Sequence, residues 1–270
     1  MILVEKTIRQ ILLVIASILI LFPLIFAFLI SISPTGEQSI LSFIPRSITF
    51  ENYHYALQTA PILHFIVNSF VFASFITAGH LITSSLAAFA LVFIPFKGKT
   101  FFFLIILSTM MIPWEATIIP NYDTVIRLGW LNSFPGLIVP HLASTLGIFL
   151  LRQHFLTLPT ELYEAARMDG CSRFRYFSTI VIPLSKPILA ALGVYSFITS
   201  WNQYLWPLLI TNSNQIRTVQ IGLNMLISQE EQNAFPIIMA GIIMVLLPTL
   251  IILIIGHKYL KEGLVSYSQK

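Results

Sequence analysis

Apolar residues run through this chain in long stretches, where a water-soluble domain would alternate apolar and polar positions. A helix needs about 20 mostly apolar residues to cross a bilayer core of roughly 30 Å. Six stretches reach that length, at residues 11–30, 64–94, 101–122, 134–151, 187–210 and 235–256. Each is predicted to be helical, because a backbone in lipid must satisfy its own N–H and C=O groups. The pattern predicts an all-α polytopic membrane protein with six transmembrane helices in a single domain, residues 1–270.

The composition supports a lipid-embedded chain and excludes several other classes. Hydrophobic residues make up 56% of the sequence and charged residues 10%, which leaves too few polar side chains to cover a soluble globule. The single cysteine, Cys171, excludes an internal disulfide and a cysteine-based metal cage. The basic residues form no continuous tract of the kind that binds nucleic acid, so no nucleic-acid partner is expected.

The positions of lysine and arginine predict the orientation. If the N-terminus is cytoplasmic, 12 of the 15 basic residues fall on the cytoplasmic side, and only Arg46, Arg127 and Arg217 fall outside. This bias places both termini in the cytoplasm, beneath the cell membrane. The first stretch follows Lys6 and Arg9, but it is longer than the apolar region of a secretory signal, so we expect an uncleaved span.

Small residues in the second stretch predict close helix packing. Gly79, Thr83 and Ala87 recur every four positions, which lets another helix approach closely. Prolines also lie in or at the edges of five stretches, so we expect a bundle of irregular helices.

No constellation in the sequence indicates catalysis or a bound cofactor. Gly98-Lys99-Thr100 resembles the end of a phosphate-binding loop, but Phe93 stands where that loop needs a glycine. The six histidines show no metal-ligand spacing. His80 and His141 lie within predicted spans, where each is either a proton-relay member or a helix-packing residue. We expect a chain that is not an enzyme and has no metal and no cofactor of its own.

The connection at 152–186, on the predicted cytoplasmic side, is too long for a simple link between two spans. A short helix is expected there, with Thr160 as its N-cap, Glu161 in its first turn and Gly170 as its stop. Ala165 and Ala166 have almost no side chain, so we expect both to face outward and to fit a groove in a partner. The alternative is an amphipathic helix that lies on the membrane surface.

A second segment of this connection leads into the fifth span. Residues 172–182 carry apolar side chains at helical spacing, and Pro183 follows them. The two pieces are joined at Gly170, so we expect a push on the short helix to move a membrane helix.

Part of the connection resembles the EAA motif of ABC importer permeases. That motif reads EAA, three residues, G, nine residues and I-x-L-P. This chain has Glu164-Ala165-Ala166, Gly170 and Ile180-Val181-Ile182-Pro183, with isoleucine in place of the usual leucine. The likeness covers most of the chain from about Asn68 onward. Further stretches are similar to the carbohydrate-importer branch, the maltose-transporter type: Met111-Ile112-Pro113, Phe149-Leu150-Leu151-Arg152-Gln153, Met168-Asp169-Gly170, Pro183-Leu184-Ser185-Lys186-Pro187 and residues 201–208.

The resemblance implies a permease subunit of an ATP-driven importer for a carbohydrate or polyol derivative. Residues 201–208 are especially similar to permeases for glycerol 3-phosphate and related carbohydrates. The implied partners are a second permease in a heterodimer, two cytoplasmic ABC ATPase subunits that bind the ATP, a solute-binding protein outside the membrane, and the bilayer. The residues implied in ATPase coupling are Glu164, Ala165, Ala166, Asp169, Gly170, Ile180 and Pro183.

Polar and aromatic residues of the fifth span are candidates for the substrate path, because polar groups in lipid are costly. Asn202 and Gln203 offer amide groups suited to hydroxyl recognition. Trp201, Tyr204 and Trp206 offer flat faces for a sugar ring, and they fit an aromatic belt at the outer membrane surface equally well.

Two further polar residues each have two possible roles. Glu115 and Asn68 serve either the substrate path or a helix–helix hydrogen bond. No lysine or arginine lies within an apolar stretch, so a phosphorylated solute would need its positive charge from a partner.

The competing hypothesis is a self-contained secondary transporter or channel, with Glu115, His80 and His141 as ion-coupling groups.

Overall fold

The computed structural model describes residues 2–35, 45, 47–229 and 235–265, with the side chains of all of these except 2–4, 229 and 257–265. Of the basic residues that predict the orientation, Arg46 and Lys270 lie outside the described residues, as do the side chains of Lys258 and Lys261. Within the described ranges the regular structure is helical, with no strand.

Fourteen α-helices occur in the described part of the chain. They are α1 (Ile2–Ser31), α2 (Glu51–Thr59), α3 (Ile62–Phe93), α4 (Lys99–Ser108), α5 (Trp114–Arg127), α6 (Phe134–Ile138), α7 (Thr145–Phe155), α8 (Thr160–Met168), α9 (Arg173–Tyr176), α10 (Ile182–Leu184), α11 (Lys186–Trp201), α12 (Leu205–Ile210), α13 (Val219–Gln229) and α14 (Phe235–Val265). Short 3₁₀ turns follow α4 and α6, at Thr109–Met111 and Val139–His141, and a π-helix, Phe177–Val181, joins α9 to α10.

Three of these helices are long and apolar enough to cross a membrane unbroken. They contain the candidate spans Glu5–Ser31, Ile62–Phe93 and Phe235–Gly256. Three further candidate spans are pairs of shorter helices that bend sharply where they join: Lys99–Met111 with Trp114–Arg127 at 99°, Phe134–His141 with Thr145–Phe155 at 43°, and Arg173–Leu184 with Lys186–Trp201 at 78°. Up to six spans result, and the predicted class of all-α polytopic membrane protein is confirmed.

Local sequence explains where the bent pairs break. Pro113 has no N–H to continue a helix and holds Ile112 in an extended conformation, with ψ of 114°. Ser144 caps the start of α7, because its Oγ accepts a hydrogen bond from the main-chain nitrogen of Gly147 at 3.1 Å. The irregular helices expected from the prolines are therefore present.

The chain divides into two compact units, of which the first comprises residues 1–66 and 219–248. Within it, the connection after α1 is fixed to α2 by Asn52, which is 1% exposed. The Asn52 amide donates to the main-chain oxygens of Ser31 and Ser33, at 2.8 and 2.7 Å.

The second unit comprises residues 67–218 and 249–270 and contains the close packing predicted from small residues. A Cβ atom placed on Gly79 would lie 3.3 Å from the Cα atom of Leu142. One turn further along α3, Thr83 Oγ1 donates to the main-chain oxygen of Leu142 at 2.9 Å. The close approach at Gly79 and Thr83 is thus present, but the partner is the turn at Leu142, where the sequence predicted a second helix.

Candidate functional site

Helix α8 is the short helix expected within 152–186, and it ends as the sequence predicts. The predicted N-cap is wrong, because Pro159 occupies the cap position and Thr160 is the first helical residue. Gly170 has a φ of 69°, a left-handed conformation that residues with a Cβ atom adopt only at a cost. The main-chain nitrogen of Cys171 donates to the oxygen of Ala166 at 2.9 Å, and that of Gly170 donates to Arg167 at 3.1 Å. These two bonds satisfy carbonyl groups that the end of a helix leaves open.

The two alanines of α8 face different environments. Ala165 is exposed, whereas Ala166 is only 7% exposed and belongs to a hydrophobic core. The expectation that both face outward is therefore wrong for Ala166, because adjacent helical residues point about 100° apart. The outward side of α8, which we call the coupling surface, consists of Glu161, Glu164, Ala165 and Met168.

Aromatic side chains anchor α8 to the rest of the second unit. Tyr163 of α8 lies 5.6 Å from the ring of Phe93 in α3 and 5.1 Å from the ring of Tyr176 in α9, between centroids. The same core contains Phe155 of α7 and Leu192 of α11. Aromatic pairs at these distances stabilise packing beyond their buried area. This aromatic anchor was not predicted from the sequence, although Phe89 and Phe93 lie one helical turn apart and indicate an aromatic packing surface on α3.

A cavity of about 410 Å³ lies beside α8. The residues that line it include two arginines, Arg167 and Arg173, and none of them is acidic. Cys171 and Tyr176 also line it. The cavity therefore differs in charged residues from the coupling surface, which carries two glutamates.

The remaining residues with an expected coupling role lie in and around this segment. Asp169 is exposed at the end of α8, and Ile180 is half-buried in the π-helix, against the core that holds Ala166. Pro183 is exposed in α10, directly before the 78° bend into α11. The second segment is thus continuous with a membrane helix, as the sequence predicts.

A second group of residues meets where three helices break. Trp114 begins α5 directly after Pro113, His141 ends a 3₁₀ turn, and Gln203 lies between α11 and α12. The ring centroids of Trp114 and His141 are 4.3 Å apart, and Gln203 Nε2 lies 3.4 Å from His141 Nδ1. We call this place the break junction. Sequence reasoning named Gln203 but missed Trp114.

The tryptophans of the fifth-span stretch are core residues. Trp201 and Trp206 are each 1% exposed. The Trp206 indole donates to the main-chain oxygen of Leu137 at 3.2 Å, and Trp201 stacks on Phe197. Their burial excludes an aromatic belt for these two residues, because belt residues face the lipid interface. Tyr204 is half-buried.

The other expected path residues do not take part in the contacts of the break junction. Asn202 is exposed and donates to the main-chain oxygen of Ile198 at 2.9 Å. Glu115 is exposed on α5. Asn68 is 4% exposed, and its amide donates to the main chain of the loop before α13, which supports the packing role among its two alternatives.

Comparison with known proteins identifies the family of this chain. Residues 81–261 match the model of the family described as "Binding-protein-dependent transport system inner membrane component". The chain belongs to this family. A permease of this family is a transport subunit, and ATP is hydrolysed by a separate subunit. The chain is therefore a multi-pass inner-membrane protein that works with a partner permease, an ATPase and a solute-binding protein.

Permeases with similar sequences match this chain over nearly its whole length. The "sn-glycerol-3-phosphate transport system permease protein UgpE" of Brucella abortus is 36% identical, over 97% of each chain. The protein of the same name from Escherichia coli O1:K1 is 40% identical, over 92% of this chain and 91% of that one. These matches decide against the self-contained secondary transporter or channel.

A solved structure shares the fold. It belongs to a bacterial ABC transporter involved in the import of the acidic polysaccharide alginate, and the TM-score is 0.85 at 25% identity. The match covers 95% of this chain and 96% of the other. The helix breaks and the long connection are thus part of a fold that an importer permease adopts.

Proposed function

We propose that this chain is the permease subunit of an ABC importer for a polyhydroxylated solute, with sn-glycerol 3-phosphate as the first candidate and a sugar as the second. The two UgpE relatives support the first candidate, because they match this chain over more than nine-tenths of its length. The alginate importer supports the wider class of carbohydrates. If the solute is phosphorylated, the partner permease or the solute-binding protein supplies the positive charge, since the apolar stretches contain none.

The coupling surface of α8 is the observation that carries this proposal. The small side chain of Ala165 lies between longer side chains on this surface, and Met168 is 89% exposed. An exposed methionine next to a small residue favours insertion into an apolar groove of a partner. We assign that groove to the ATPase, and we assign Glu164 and Ala165 to direct contact with it.

The remaining coupling residues transmit the movement in this proposal. Ala166 holds α8 against the core, and Asp169 and Gly170 end the helix. Ile180 and Pro183 continue the connection into α11. A shift of α8 then displaces α3, α7 and α11 through packed side chains, because close-packed cores transmit displacement.

The assembly in this proposal contains one copy of this chain, a second and different permease, two ATPase subunits and one solute-binding protein. The whole chain, residues 1–270, acts as one permease domain with both termini in the cytoplasm. The excess of lysine and arginine in the inner connections supports this orientation.

The test uses the assembled transporter in proteoliposomes, with the binding protein and radiolabelled sn-glycerol 3-phosphate or maltose. Ala165→Trp is expected to lower solute-stimulated ATP hydrolysis and uptake by about tenfold or more, because the ring cannot fit a groove shaped for alanine. Ala165→Ser keeps the small size and is expected to retain both rates within about twofold. Full coupling in the tryptophan variant would contradict the role of the coupling surface, and uptake without ATPase subunits would contradict the importer itself.

A further inference from the structure

The break junction contains two polar atoms that have no hydrogen-bond partner among the described residues. His141 is 8% exposed, and its Nε2 is buried without such a bond. The side-chain oxygen of Gln203 is likewise buried and without such a bond. Buried polar groups are nearly always paired in native proteins, so each of these two atoms needs a partner from outside the described side chains, either a water or a bound ligand.

The bond between these two side chains defines what the missing partner must offer. With Gln203 Nε2 donating to His141 Nδ1, the imidazole carries its hydrogen on Nε2, which is then an open donor, and Gln203 Oε1 is an open acceptor. If the amide is rotated by 180°, the roles exchange, and the open acceptor lies on His141. In both cases the junction presents one donor and one acceptor, and hydroxyl groups serve both roles.

Aromatic rings surround the imidazole ring of His141. The centroid of Trp114 lies 4.3 Å from that of His141, Trp206 lies at 5.6 Å, and Phe72 lies at 6.4 Å. The indole N–H of Trp206 is already bonded to Leu137, so Trp206 offers its ring and not its polar end. Flat apolar faces beside polar atoms suit the C–H surfaces and hydroxyl groups of a polyol.

The position of the junction in the helices supports a ligand site. Irregular backbone at membrane depth occurs where it is enclosed by protein or lines a cavity, and broken helices form the binding sites of many transporters. The 16 residues of α11 rise about 24 Å before the break at Gln203. The junction is therefore far from the end of α11 that follows the cytoplasmic connection.

A second histidine close by shows the opposite pattern. His80 is bonded on both nitrogens, to Ser196 Oγ at 3.1 Å and to the main-chain oxygen of His141 at 2.7 Å. Its role is to hold α3 against the turn that carries His141. His80 is thus a positioning residue, and both nitrogens of its ring are satisfied without a ligand.

We propose that His141 and Gln203 recognise hydroxyl groups of the transported solute, with Trp114 and Trp206 as apolar walls. This inference rests on the proposed import of a polyhydroxylated solute and assigns the site to particular atoms. The two atoms are closed off from solvent in this structure, so the solute reaches them when the helix breaks separate during the transport cycle.

The test measures the ratio of solute imported to ATP hydrolysed, in the complete transporter, at saturating concentrations of solute-loaded binding protein. The solutes are sn-glycerol 3-phosphate, glycerol and maltose. His141→Phe and Gln203→Leu keep the approximate shape of the side chains and remove their polar atoms. Each is expected to lower this ratio by about fivefold or more, which corresponds to the loss of one hydrogen bond. His141→Gln places an amide near the position of Nε2 and is expected to retain most of the ratio. His54→Phe, at an exposed position of α2, is the control and is expected to leave the ratio unchanged.

The outcomes separate this inference from the proposed function. If the unaltered transporter imports none of the three solutes, the proposed function is wrong, and the site assignment falls with it. If it imports one of them and His141→Phe and Gln203→Leu keep the full ratio, the function stands and the site assignment is wrong, with the open atoms satisfied by resident water only. Equal loss of import and ATP hydrolysis in both variants would indicate a packing role and would also overturn the assignment.

Discussion

The side-chain amide of Asn68 donates to the main-chain oxygen of Gln215 at 2.9 Å and to that of Arg217 at 3.0 Å, nearly 150 residues further along the chain. Asn68 is 4% exposed, so the donor of both bonds is buried. One side chain at the start of the second unit thereby fixes the loop that precedes α13.

Replacing Asn68 by leucine is expected to destabilise the permease. Leucine has a similar volume but donates no hydrogen bond, so two carbonyl groups lose their donor, at about 1–3 kcal/mol in total. The measurement is thermal unfolding of the purified chain in detergent. Asn212→Leu, at an exposed position in the same loop, is the control and is expected to change stability by less than about 0.5 kcal/mol. Equal melting temperatures for the two variants would rule out the role of the Asn68 amide.

At Gly170, the effect of a replacement is expected to depend on whether the new residue adopts the left-handed backbone conformation and not on the volume of its side chain. A Cβ atom added there would meet no atom within 4 Å, but its φ of 69° disfavours most side chains. Gly170→Ala is expected to cost about 1 kcal/mol at the end of α8, and Gly170→Asn less, because asparagine visits this conformation more readily. ATP-coupled uptake should therefore follow the order glycine, asparagine, alanine. An alanine variant more active than the asparagine variant would contradict this explanation.

Two helical glycines of the second unit are expected to respond oppositely to alanine. A Cβ atom on Gly147 would lie 3.0 Å from Ser84 Cβ and 3.1 Å from Leu192 Cδ2, whereas one on Gly193 would meet its nearest atom at 3.7 Å. Gly147→Ala is expected to destabilise the protein by about 1–3 kcal/mol through overpacking. Gly193→Ala should be neutral or should stabilise α11 by about 0.5–1 kcal/mol. Thermal unfolding distinguishes the two, and a reversed order would contradict the packing described here.

Cys171 provides a test of orientation that uses the natural sequence. It is the single cysteine of the chain, half-buried at the cavity beside α8. A membrane-impermeant maleimide is expected to label this chain in inverted vesicles and not in right-side-out vesicles, and bound ATPase should slow the labelling. Cys171→Ser, which removes the thiol, is the control. Labelling from the outer side would show that the predicted orientation is reversed.

Much of the fold could be predicted from the sequence, because lipid imposes strong and local rules. Each span must be apolar and helical, and basic residues collect on one side. The end of α8 at Gly170 was equally predictable, since glycine adopts its left-handed conformation without a steric penalty. The site residues of the connection came from a motif, and the experiments above remain their test.

The sequence by itself determined that the chain is helical, lipid-embedded and marked by a long connection between two spans, because these properties depend on composition and on neighbours along the chain. Only the tertiary structure decided that Ala166 turns inward while Ala165 stays exposed, and that Trp114, His141 and Gln203 meet at one place. Those outcomes depend on which helices break and which pack together. Distant residues settle that choice through packing, which the local pattern of apolar and polar positions does not encode.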